Sequence, residues 1–90
     1  MAEYKLLFKR SVASDLRSVP KKDLAKILRR IQKLAADPRP RGCEKLSGGE
    51  RYRVRQGVYR IIYKVNDDEV CIVVVKVAHR KEVYRGGVAR

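Results

Sequence analysis

The stretch Arg51-Tyr52-Arg53-Val54-Arg55-Gln56-Gly57-Val58-Tyr59-Arg60-Ile61-Ile62-Tyr63-Lys64-Val65 decides the fold, because apolar and basic residues alternate through it. Successive side chains of an extended chain point to opposite faces. Tyr52 and Val54 therefore share one side of a first strand, and Arg51, Arg53 and Arg55 share the other. Gly57 marks a turn. In the strand that follows, Tyr59, Ile61, Tyr63 and Val65 line one face, opposite Arg60, Ile62 and Lys64. The pattern predicts a hairpin with one buried face and one basic face. Asn66-Asp67-Asp68 predicts the next hairpin turn. The run from Val70 to Val75 is apolar at every position, which predicts a central strand covered on each side.

Upstream, the period changes. Leu24, Ile27, Leu28, Ile31, Leu34 and Ala35 recur at helical spacing, with Lys21, Lys22, Lys26, Arg29, Arg30 and Lys33 off that stripe. Pro20 fits the first turn of this helix, and Asp37-Pro38 and Pro40 end it. Ser11 is expected to cap a shorter helix whose Val12, Ala13, Leu16 and Val19 fall on one side. Tyr4 to Phe8 reads as a short strand, with Leu6 and Phe8 on one face and Leu7 opposite. Residues 38–50 read as a connecting loop. The fold class expected is α+β: an N-terminal strand, a two-helix hairpin, then an antiparallel meander, with the helices packed on one face of a twisted sheet. Residues 1–85 are expected to form a single domain, and 86–90 a flexible tail.

The chain has 90 residues, with 23 Lys and Arg against 10 Asp and Glu, a net charge of +13. So large an excess opposes compaction and points to a polyanionic partner. The two cysteines, Cys43 and Cys71, sit in unlike contexts and have no metal-ligand spacing; both are read as reduced thiols of a cytoplasmic protein. No apolar run approaches the ~20 residues of a membrane span, so no membrane partner is expected.

Arginine is unevenly placed. Residues 51–90 hold ten basic residues, seven of them Arg, whereas residues 1–50 hold thirteen, six of them Arg. Arg53 and Arg55 project to one side of a strand roughly 7 Å apart, and hairpin pairing should bring Arg60 close. Each guanidinium can grip a phosphate with two parallel hydrogen bonds. A solubilising basic sheet face is the plainer alternative. His79, the only histidine, is expected near this cluster beside Arg80 and Tyr84, where adjacent cations favour its neutral, proton-accepting form. No carboxylate cluster, His/Cys set or Gly-rich phosphate loop is present, so neither metal nor other cofactor is expected. Were RNA cut here, its own 2′-hydroxyl would be the nucleophile. The protein would supply a base, cations for the growing negative charge, and a donor to the leaving oxygen.

Lys45-Leu46-Ser47-Gly48, Tyr52-Arg53-Val54-Arg55, Gly57-Val58-Tyr59-Arg60-Ile61-Ile62-Tyr63 and Ala78-His79-Arg80-Lys81-Glu82-Val83-Tyr84 follow one another in order. In that combination the chain resembles the RelE/ParE toxin superfamily, and more closely its RelE branch. The resemblance implies a type II toxin that enters the ribosomal A site near 16S rRNA. There it cleaves messenger RNA to a cyclic phosphate and a 5′-hydroxyl, and a cognate antitoxin masks it. Matching positions are Arg53, Arg55, Arg60, Arg80 and Tyr84, with Lys45, Arg51, Lys81 and Arg85 as expected RNA-binding neighbours. The resemblance implies that these basic groups activate the 2′-hydroxyl and stabilise the transition state while the tyrosine stacks on or orients the nucleotide. Where many members carry lysine, Arg53 and Arg55 keep phosphate binding but stay protonated. That makes His79 the more attractive base, as in some relatives, with Tyr84 the alternative. Two other classes stay open: a ParE-like inhibitor of DNA gyrase, and a non-catalytic RNA- or ribosome-binding module, which a degenerate toxin would also resemble.

Overall fold

A computed structural model of the chain describes residues 3–47 and 49–80. The elements are β1 (Lys5–Phe8), α1 (Arg10–Arg17), α2 (Lys21–Ala36), β2 (Glu44–Lys45), β3 (Arg51–Gln56), β4 (Tyr59–Asn66) and β5 (Cys71–His79). They form one five-stranded sheet in the order β1-β5-β4-β3-β2. The meander β2 to β5 is antiparallel, while β1 lies parallel to β5, pairing Lys5–Phe8 with Cys71–Val74. Both helices pack on one sheet face, as the periodicities predict. Val12 of α1 and Ile27, Ile31 and Leu34 of α2 are buried against Tyr52, Val54, Ile61, Tyr63, Val65, Ile72, Val74 and Val77.

Five local expectations change. Lys9, not Ser11, occupies the cap position of α1, and no side chain caps it. Pro20 stands one residue before α2, with its carbonyl accepting from the Leu24 amide at 2.8 Å. The loop 38–50 contains β2, two residues too short to leave a period in the sequence. Val70 precedes β5: its φ of 52° is left-handed and unfavourable for a β-branched residue. The turn holds it there, because the Asn66 side chain accepts the Glu69 amide and the Val70 carbonyl accepts the Lys5 amide. The apolar run before Lys76 is the central part of the sheet, yet helices cover only one of its faces.

β1 reaches only as far as Val74, so the second half of β5 has an edge that no strand covers. A register shift between Ile62 and Tyr63 leaves Val75 as an extra residue at that point, the bulge expected where a strand turns away from its partner. Here α1 takes the place of the missing strand. Asp15 accepts the Val77 amide at 3.1 Å through one carboxylate oxygen and the Lys76 ammonium at 3.5 Å through the other, so a buried ladder donor is satisfied by a side chain.

At the far end, one polar clasp joins four segments. The buried Tyr52 and Tyr63 rings, opposite each other on β3 and β4, stack at 5.8 Å. Arg39 lies 5.1 Å over the Tyr52 ring, donates to its hydroxyl at 2.9 Å and to Asp67 at 2.8 Å, and Tyr4 donates to the same carboxylate at 2.7 Å. The Tyr63 hydroxyl donates to the Pro38 carbonyl at 2.7 Å, and burial pushes its ionisation well above the usual tyrosine range. Hydrogen bonds from Arg39, then from Tyr4, hold the Asp67 carboxyl below the usual carboxylate range. A carboxyl whose folded pKa is depressed stabilises the fold above its unfolded value, near 4, and loses that contribution as pH falls through the folded value. Asp67→Asn should therefore lower Tm at neutral pH and flatten the fall in Tm between about pH 5 and about pH 2; thermal melts across that range check this.

Candidate nucleic-acid interface

Because Tyr52, Val54, Ile61 and Tyr63 face the helices, strand geometry sends the residues between them to the open face of the sheet. Arg51 pairs with Lys64, Arg53 with Ile62, and Arg55 with Arg60, which in turn pairs with Ala78. Arg55 and Arg60 thus stand directly opposite one another, with Arg53 roughly 7 Å along β3 on the same face. Ile62, half-buried, and Ala78, buried, form the apolar floor between them. Like charges directly opposite on neighbouring strands are destabilising, so the sheet carries this arrangement at a cost to its stability.

One carboxylate reports on the cluster. Glu44 of β2 pairs with Arg53, whose Nε donates to its Oε1 at 2.9 Å while the guanidinium NH2 group shares the same oxygen. The Glu44 carboxyl is held below its usual range, first by that hydrogen bond and the charge of Arg53, then by the charges of Arg55 and Arg60. The three cations thus lie close enough to act on one carboxylate. Glu44 escaped the sequence reading because only the two-residue pairing of β2 with β3 brings it there. Arg60 is half-buried, and its Nε is shielded from water without an acceptor.

The other expected site residues divide. Arg51 lies on the same face as Arg53 and Arg55, four residues from Arg55. Arg80 follows β5, and its amide donates to the Val58 carbonyl at 2.7 Å, which puts it at the Arg55–Arg60 end of the sheet. Lys45 pairs with Tyr52 and so belongs to the helix-side register, at the exposed β2 edge. His79 is not on the register of that face. It pairs with Tyr59 and its ring meets the Tyr59 ring edge-on at 5.6 Å, on the register of the helix-side face rather than the arginine face. Strand parity is the reason: His79 is one residue from Ala78, which lies opposite Arg60. Lys81, Tyr84 and Arg85 lie outside the described residues. Among those described, no group of three or more metal-ligating side chains occurs, and no helix is long and apolar enough to cross a membrane. A depression of about 760 Å³ lies farther along, lined by Leu7, Cys71 and Val73 with Arg51, Lys64 and the acidic β4–β5 turn. Its mixed lining suits a polyanion far less well than the arginine cluster does.

A helix-hairpin-and-meander fold with a cationic open sheet face is the architecture of a type II toxin, and comparison with known proteins agrees. Residues 4–84 match the family described as ParE toxin of type II toxin-antitoxin system, parDE. Toxin RelG of Mycobacterium tuberculosis is 28% identical over 86 residues, 91% of this chain and 97% of RelG. The archaeal RelE–RelB complex from Pyrococcus horikoshii contains a chain with 32% identity and a TM-score of 0.79, over 87% of this chain and 96% of that one. The RelBE2 toxin–antitoxin complex of Mycobacterium tuberculosis gives 26% and 0.77, over 87% and 99%. The protein belongs to the RelE/ParE toxin superfamily, in its RelE-like branch.

Glu44 occupies part of the Arg53 guanidinium, so any phosphate that bound Arg53 would have to displace it. Glu44→Gln should tighten binding of a single-stranded RNA and steepen its salt dependence by about 0.7 in the slope of log K against log salt, one phosphate contact. Fluorescence anisotropy over a salt series measures both.

Proposed function

We propose that this toxin is a metal-independent endoribonuclease that cuts messenger RNA in the ribosomal A site. The substrate's 2′-hydroxyl attacks the adjacent phosphate, leaving a 2′,3′-cyclic phosphate and a 5′-hydroxyl. The observation that carries this reading is the facing pair Arg55 and Arg60 with Arg53 beside it. These are permanently charged donors on an open surface, one with an unused Nε. The charge on the phosphoryl oxygens rises as the 2′-oxygen approaches, so preorganised guanidinium groups stabilise the transition state more than the ground state. Arginine cannot act as the base. His79, turned onto Tyr59, is off the arginine register, which leaves Tyr84, the other candidate, for the proton role. By the same likeness to relatives found with RelB-type partners, a cognate antitoxin binds this chain and holds the arginine face from RNA.

The name of the matched family favours a second reading, a gyrase inhibitor that cuts nothing. The arginine cluster weighs against it, because gyrase binding does not require oxyanion donors on one sheet face. Primer extension on messages bound to translating ribosomes, run beside a supercoiling assay, separates the two. Arg55→Ala and Arg60→Ala should each reduce cleavage by roughly 100- to 1000-fold; cleavage at the wild-type rate in the double variant sinks the assignment, and blocked supercoiling with intact message favours the second reading. His79→Ala should leave cleavage within about tenfold of wild type, the lower end of what removing a general base costs being near 100-fold. A larger loss returns the base role to His79.

A further inference from the structure

Cleavage needs a donor to the leaving 5′ oxygen, and no arginine can fill that role, because a guanidinium stays protonated. An ammonium can give up a proton, and one lysine lies beside the arginines. Lys76 of β5 pairs with Ile62, which pairs with Arg53 on its other side. Ala78, the next residue of β5 on that face, pairs with Arg60. Lys76 is therefore the diagonal neighbour of Arg60, at the roughly 7–8 Å that long side chains span. Lys64, the other lysine of β4 and β5 on this face, is about 13 Å along the strand from Arg60. Lys76 has this place only because of the bulge. Counted from Val73 and Val74, strict alternation would put Lys76 on the helix side and turn Val77 to the open face. The extra residue Val75 reverses the parity, so that Val77 is buried and Lys76 exposed. Bulges recur beside active sites, where they re-aim a side chain. Asp15 of α1 holds the ammonium at the β5 edge, 3.5 Å away. So long a contact, on a side chain 52% exposed, contributes little. The four-carbon stem can swing from the edge over Ile62 at small cost.

We propose that Lys76 is the general acid of the cleavage, giving its proton to the 5′ oxygen as that oxygen leaves phosphorus. This rests on the reading of the chain as a ribonuclease. In the step, the 2′ oxygen loses its proton to the base and bonds to phosphorus. The bond from phosphorus to the 5′ oxygen breaks, and that oxygen keeps the electron pair and takes the Lys76 proton. The products are the cyclic phosphate and the 5′-hydroxyl, and the neutral amine regains a proton from water. Without a donor the leaving group would be an alkoxide, whose conjugate acid is about as weak as water, with a pKa of about 15.7. Arg53, Arg55 and Arg60 have the separate task of balancing charge on the non-bridging oxygens. The face divides accordingly, with permanent charges on β3 and β4 and a transferable proton on β5.

The test compares the full chain with Lys76→Arg, which keeps the charge but has no proton to give. The substrates are two matched messages on ribosomes, one natural and one with sulfur in place of the 5′ oxygen at the cut. A leaving thiolate, with a conjugate-acid pKa of about 8.5 as in cysteine, departs without a proton. Lys76→Arg should cut the natural message roughly 100-fold or more slowly, and the sulfur message within about threefold of wild type. Lys76→Gln is the second variant, and sulfur should recover most of its loss too. Both substitutions change a half-exposed side chain, so Tm should stay within about 4 °C of wild type. Two results overturn the proposal and leave the nuclease reading standing. A loss below about tenfold on the natural message means that the bulge merely keeps a lysine out of the core. Equal losses on both messages mean that Lys76 binds or shapes the face without giving a proton. A wild-type chain that cuts neither message removes the nuclease reading, and the acid with it.

Discussion

Every functional feature of this chain depends on a sheet that is buried on one side only. Once Tyr52, Val54, Ile61, Tyr63 and Val65 are committed to the core under α1 and α2, a period of two leaves Arg51, Arg53, Arg55, Arg60 and Lys64 no position but the open face. A slip of one residue between β3 and β4 would turn arginines into the core and tyrosines into water. Several strongly apolar side chains and the stacked Tyr52–Tyr63 pair oppose that slip. Hydrophobic burial therefore holds in place a cation cluster whose own repulsion would scatter it.

The ends of the sheet show how that arrangement is kept. Arg39 and Asp67 tie the loop after α2 to the β4–β5 turn, and Tyr4 draws in the first strand. Asp15 closes the edge of β5 where β1 stops. These polar contacts lie at the rim, where water competes, so each contributes modestly. Their effect is chiefly on position: they hold segments distant in sequence in one register and keep the open face clear of them. Glu44 differs, because it lies within the arginine face and neutralises Arg53 directly. A carboxylate there offsets part of the like-charge cost of the cluster.

What the sequence disclosed and what it hid follow one physical rule. Periodic burial leaves a trace, so the helices, the three long strands and the shared face of Arg53, Arg55 and Arg60 were legible from side-chain alternation alone. Pairing between distant segments leaves none. The parallel docking of β1 on β5, the two-residue β2 and hence Glu44 beside Arg53 could not be read along the chain. The bulge at Val75 could not be read either. His79 illustrates the limit most directly. Its place at the end of a central strand suggested nearness to the arginines, but nearness along a strand and a shared face are different properties, and one residue of parity separates them.

The same rule bears on the lysine-rich helix. A basic stripe beside a buried apolar stripe resembles an ordinary solvated surface when only the sequence is considered, since both obey helical periodicity. The difference is in the third dimension, where Gln56 from β3 completes a depression around side chains that α2 supplies. Cations that merely keep a protein in solution spread apart to lower their repulsion. Here cations gather on the open sheet face and on the outer side of α2, with an apolar core between them, and the repulsion within each group is a cost to stability. Part of the +13 charge is therefore held in two dense groups rather than spread evenly along the chain.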